Sequence, residues 1–164
     1  MRTAPLALAL AAGLLAPASV ASPAPASLNW LHGAWTGQSE FLGRPAAVQL
    51  DVGPALQGTA TALVYRVDAA ASEGRPALRF EGRGTYRVAP DGTVTGQWAD
   101  SGGNLHPLSG RTTEGELQVN WGDVRSEMGH SRYSLGPDGV LTVTDSVYSR
   151  GTVRVFARAS YRRR

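Results

Sequence analysis

A chain of 164 residues is long enough for one domain with a proper core, and too short for two once an N-terminal leader is set aside. It carries no cysteine, which excludes a disulfide framework, a lipid-bearing cysteine and covalent haem attachment through CxxCH. The net charge of +3 comes from the ends, Arg2 and Arg162-Arg163-Arg164; the body of the domain is close to neutral, and nucleic acid is not an expected partner.

Met1-Arg2-Thr3 is followed by an apolar run from Ala4 to Ala16 and then by Ala18-Ser19-Val20-Ala21, the basic, apolar and small-residue segments of a secretory signal peptide. Roughly a dozen apolar residues are too few to span a bilayer, where about 20 are needed. Cleavage is expected between Ala21 and Ser22. That gives a signal peptide over 1–21, a disordered lead-in over 22–27, a folded domain over 28–161 and a basic tail over 162–164. The expected location is periplasmic or secreted, with the arginine tail a solubilising end or a weak contact to an anionic envelope surface. The absence of lysine and isoleucine beside plentiful Arg, Ala and Gly points to a GC-rich bacterial genome.

The folded domain opens on Leu28 to Phe41, a stretch holding Trp30, Trp35 and a Gly33-Ala34-Trp35 step into a strand-like alternation. Beyond it, Gly and Pro break any helical period every few residues. Period-two alternation predicts about ten short strands: Ala34 to Phe41, Ala47 to Val52, Thr59 to Val67, Ala77 to Val88, Thr93 to Asp100, Leu105 to Thr112, Glu116 to Gly122, Gly129 to Leu135, Val140 to Ser146 and Gly151 to Tyr161. Pro90-Asp91-Gly92 and Pro137-Asp138-Gly139 are hairpin signals, and Glu114-Gly115 a third tight turn. Gly82, Gly84 and Gly96 are expected to mark bulges and bends that let the sheet curl into a barrel, and Pro107 a bulge or a poorly paired edge. Such short connections make sequence neighbours spatial neighbours. The fold class is therefore all-β, a single antiparallel up-and-down barrel without a helical lid, with a two-sheet sandwich as the alternative.

The GxW step, the ten-strand meander and a last strand reading Arg154-Val155-Phe156 resemble the calycin barrels, among them lipocalins, fatty-acid-binding proteins and nitrobindins. In that group the Trp of GxW plugs the closed end under a basic side chain of the last strand. The resemblance implies that role for Trp35, with Arg154 or Arg158 above it. Fatty-acid-binding proteins use the last strand's Arg-x-Tyr on a ligand carboxylate; here Phe156 replaces the Tyr, and only Leu42 to Ala46 separates the first two strands, leaving no room for their helical lid. Nitrobindins hold haem iron through a last-strand histidine, and Phe156 stands near that place. Haem is thus disfavoured, and no cofactor or metal is expected.

Among the histidines, His32 is expected to pack at the closed end, His106 to face solvent and His130 to line any cavity. Asp100-Ser101 and Asp145-Ser146 read as turn chemistry, with a polar-ligand rim as the alternative. No nucleophile elbow, HExxH or phosphate loop is present, so the residues point away from an enzyme. The expected function is binding of a small apolar or amphiphilic molecule inside the barrel, with Trp98, Trp121, Tyr86, Tyr133 and Phe80 as wall and Arg154, Phe156 or His130 beside its polar group. The competing readings are a filled barrel acting as a structural or interaction module of the envelope, and a haem barrel.

Overall fold

The computed structural model describes residues 26–72 and 74–164; the expected signal peptide and most of the lead-in lie outside the described residues. Ten antiparallel strands follow one another in chain order and close into a barrel, with the first strand paired to the last. They are β1 (Gly33–Phe41), β2 (Arg44–Ala55), β3 (Ala60–Ala69), β4 (Leu78–Val88), β5 (Thr93–Asp100), β6 (Leu105–Thr113), β7 (Glu116–Trp121), β8 (Gly129–Leu135), β9 (Leu141–Ser149) and β10 (Thr152–Arg163). The only helical pieces among the described residues are the 3₁₀ turns Asn29–Leu31 and Leu56–Gly58, and none is long and apolar enough to cross a membrane.

Alternation makes the barrel. Along β2, Ala46, Val48, Leu50 and Val52 are buried while the residues between them face outward, as a strand with one buried face requires. Leu42-Gly43 and Arg150-Gly151 close β1–β2 and β9–β10 with positive φ at both residues, the two-residue turn whose twist matches a hairpin. β2 runs past its expected ends because Pro45 and Pro54 are exposed yet keep register with Glu40 and Thr61. Pro107 also stays in register, opposite Gln97. Its carbonyl accepts from Gly122 N–H at 3.2 Å, so its donor-less side faces the end of β7, beyond the last ladder pair.

The 3₁₀ turn Asn29–Leu31 lies across one end. Trp35 is completely buried there, and its indole N–H donates to the Leu31 carbonyl at 2.9 Å. The cation above its ring is Arg163, 4.3 Å from the centroid, and not Arg154 or Arg158. Arg158 lies opposite Glu40 and Thr144, exposed on the outer wall. Arg163 also donates to the carbonyls of Trp30 and His32. Residues 162–164 are therefore not a free tail: β10 runs to Arg163, and Arg164 reaches Asp51 at 2.8 Å. His32 packs at this end as expected, 3.1 Å from the Thr61 hydroxyl.

Gly82, Gly84 and Gly96 mark no bulge. β4 and β5 pair without a register shift, and a Cβ on Gly82 would lie 2.0 Å from the Trp98 ring. On β8, a Cβ on Gly129 would lie 2.0 Å from the Trp121 ring. These positions leave space for indoles laid flat along the inner wall. At Gly96 the obstacle is the Thr85 carbonyl, 2.0 Å away, because the strands coil tightly there. The register shift lies instead in β10, between Val155 and Ala157. It leaves Phe156 unpaired, and the Phe156 carbonyl accepts from Leu42 N–H at 2.9 Å.

Candidate functional site

Inward side chains fill the end plugged by Trp35 and leave a cavity of about 190 Å³ towards the other. Its wall is a girdle of rings. Trp98 on β5 meets Tyr65 on β3, which meets Phe80 on β4, with centroids 6.5 and 6.1 Å apart. Phe80 meets Phe41 on β1 at 5.9 Å, and Phe41 meets Phe156 edge-on at 6.2 Å. Phe156 meets Trp121 on β7 at 6.3 Å, and Trp121 meets His106 on β6 at 5.5 Å. His106 lies directly opposite Trp98 across β5–β6, which closes the circle. The β10 bulge is what brings Phe156 into it.

The deeper part of the cavity is polar. Asp145 on β9 faces inward, and Ser131 on β8 donates to its Oδ1 at 2.6 Å. Tyr65, Tyr86, Tyr133 and Tyr161 line the same space, with Tyr65 beside Tyr161 and Tyr86 beside Tyr133. Burial raises all four phenols above their ordinary value, and the neighbouring Asp145 charge adds to it. They are neutral hydrogen-bonding groups throughout the usual pH range. Burial also pushes the Asp145 carboxyl up, to about 6, against the pull of the Ser131 hydrogen bond. The surface that Asp145 keeps is cavity surface.

That shift has a consequence for stability. The ordinary value is 3.8, so between roughly pH 4 and pH 6 the folded chain holds a proton at this site that the unfolded chain has lost. Asp145 therefore destabilises the fold progressively as pH rises through that window, by about 2–3 kcal/mol in all. Asp145→Asn is expected to be more stable than the wild type by about 2 kcal/mol at pH 7.5 and by little at pH 4. Urea unfolding of both proteins at the two pH values checks this.

Trp98, Trp121, Tyr86, Tyr133, Phe80 and Phe156 all line the cavity. Arg154 does not. It is exposed at the rim, in a shallow outer groove with Glu40, Leu42 and Arg158. His130 is on the outer wall, because Ser131 and Tyr133 take the inward positions of β8, and partial burial, with the nearby Arg132 charge, holds its imidazole below the usual value. His106, expected in solvent, is 6% exposed on the cavity wall, with Nδ1 buried and unpartnered. Asp100 does make turn chemistry, accepting from the N–H groups of Gly102 and Asn104. Asp145 stands in mid-strand. Sequence reading missed it as a cavity residue, along with Phe41, Tyr65, Ser131 and Tyr161; the signal was the parity of Leu141, Val143, Asp145 and Val147, one carboxylate on an apolar face.

Among the described residues no cluster of three or more His, Asp or Glu could hold a metal ion. The last strand presents Phe156 to the cavity, and the one histidine among the lining residues is His106 on β6. No protein-family model matches the chain, and no curated protein matches it in sequence.

Proposed function

We propose that this barrel binds a small apolar or amphiphilic molecule in its interior. The observation that carries the reading is the cavity itself, ringed by aromatic side chains and ending on a single buried carboxylate. A packed structural module has no use for glycines that hold two indoles flat against a void, and it would be more stable without Asp145. Drug-sized pockets run from roughly 300 to 1,000 Å³; at about 190 Å³ this one suits a ligand of one ring or a short chain, not a fatty acid. A calycin-like closed barrel is consistent with that use, and the Met1 to Ala21 pattern supports export to the periplasm or beyond. N-terminal sequencing of the protein from an envelope fraction, with Ser22 expected first, checks the export reading.

The test of binding is to fill the cavity from its wall. Val143 lines it and is 5% exposed, so Val143→Phe projects a ring into the space. With benzyl alcohol as probe, the wild type is expected to bind saturably, with Kd on the order of millimolar. Val143→Phe should lose that binding at least about tenfold while keeping a cooperative unfolding transition. Unchanged affinity in a folded variant would place the binding elsewhere.

A further inference from the structure

We propose that the ligand is an organic cation, a small amine whose ammonium group pairs with Asp145 while its apolar body lies within the aromatic girdle. This rests on the reading of the cavity as a ligand site and adds the ligand's charge.

Three carboxylates line the cavity, Asp145 at depth and Asp100 and Glu127 nearer the mouth, and no arginine or lysine does. The protein has sixteen arginines, yet none is among the residues that line the cavity. Arg154 sits in the outer groove, and Arg44 is turned to the Pro76 carbonyl at 2.9 Å. An anionic ligand would meet negative charge at both levels and find no counter-charge.

Asp145 itself is incompletely satisfied. Ser131 donates to Oδ1, and among the described residues no side chain donates to Oδ2. A buried carboxylate with one neutral donor is costly unless something pairs with it, and an ammonium group supplies both the charge and the donors. The walls suit the same guest. The faces of indole and phenyl rings attract cations, more strongly where water is excluded, and Trp98, Tyr65, Phe80, Phe41, Phe156 and Trp121 encircle the approach to Asp145. His106 lines the same cavity and is 6% exposed. A neutral alcohol would satisfy Oδ2 but leave the charge of Asp145 unbalanced at neutral pH.

The experiment uses three probes of similar shape and different charge: benzylamine, benzyl alcohol and benzoate, titrated calorimetrically into the full-length protein at pH 7.5. Benzylamine is expected to bind about tenfold or more tighter than benzyl alcohol, with benzoate weakest. Asp145→Asn should bring benzylamine down to the level of the alcohol while changing the alcohol's own affinity by less than about threefold. Glu114→Gln, exposed in the β6–β7 turn and outside the cavity lining, should preserve the amine's advantage.

A second readout needs no substitution. At pH 5, where Asp145 is protonated in the free protein, the wild type should lose most of its preference for the amine. The groups facing Asp145 are Ser131 and Tyr133 from β8, Tyr65 from β3, Tyr86 from β4 and Tyr161 from β10, and none of them changes charge between these pH values; because His106 lines the same cavity, the pair of measurements is repeated in His106→Gln, where the loss of preference should persist. Equal or tighter binding of the alcohol or benzoate by the wild type would overturn the cation assignment while leaving a ligand cavity. So would an amine preference that survives in Asp145→Asn. Failure of all three probes to bind would overturn the cavity reading with it.

Discussion

Trp35→Ala should cost about 4 kcal/mol, the largest loss expected from any single truncation in this protein. The ring is completely buried, its N–H holds the Leu31 carbonyl, and it forms the floor on which Leu28, Leu31 and Leu50 pack. Large aromatic truncations in cores cost about 3–5 kcal/mol. Arg163→Ala should cost less, about 1–2 kcal/mol, from the cation–π contact and the carbonyls of Trp30 and His32 left without their donor. The two are coupled through one contact, so the double variant should be more stable than the sum of the single losses implies, by roughly 1 kcal/mol. Urea unfolding of the three variants measures all of this. A loss below about 1.5 kcal/mol for Trp35→Ala would mean that the closed end is not held by this plug.

Gly82→Val should damage the site more than the fold. The atoms that a Cβ would strike are all in the Trp98 ring, at 2.0, 2.4 and 2.8 Å, so the indole must swing off the wall. Overpacking of this kind costs about 1–3 kcal/mol, whereas a displaced indole either enters the cavity or breaks the girdle. Ligand affinity should fall about tenfold or more, since the ring contacts and part of the cavity go together. Gly96→Val is the contrast, because its obstacle is the Thr85 backbone carbonyl. There the sheet itself must shift, and stability should fall further than at Gly82. Tryptophan emission and thermal unfolding of both variants separate the cases; equal affinity in Gly82→Val and the wild type would contradict the role given to Trp98.

The barrel could be read from the sequence because alternation and turn residues act locally: each strand announces its own inner face, and the Asp-Gly turns mark where the chain reverses. The inside of the barrel was harder to read, for reasons visible at single positions. On β8 the inward face is Gly129, Ser131 and Tyr133, small and polar because it accommodates Trp121 and Asp145, and it looked no more buried than the face carrying His130. On β10 the shift at Phe156 changes which residues share a face, and no single residue announces a bulge. Arg163 finds Trp35 across 127 intervening residues only because the last strand closes on the first. Asp145-Ser146 reads as turn chemistry because Asp-Ser is common in turns. What distinguishes Asp145 from Asp100 is its mid-strand place opposite Ser131, a property of the assembled barrel.

A ligand site inside the barrel can be tested directly with the four tryptophans. Trp98 and Trp121 line the cavity, while Trp30 and Trp35 are buried at the plugged end. In a heteronuclear NMR titration with benzylamine, the indole N–H signals of Trp98 and Trp121 should move saturably and together, and those of Trp30 and Trp35 should stay in place. Signals that remain still throughout, or shifts at Trp30 and Trp35 without Trp98 and Trp121, would contradict a binding site in this cavity.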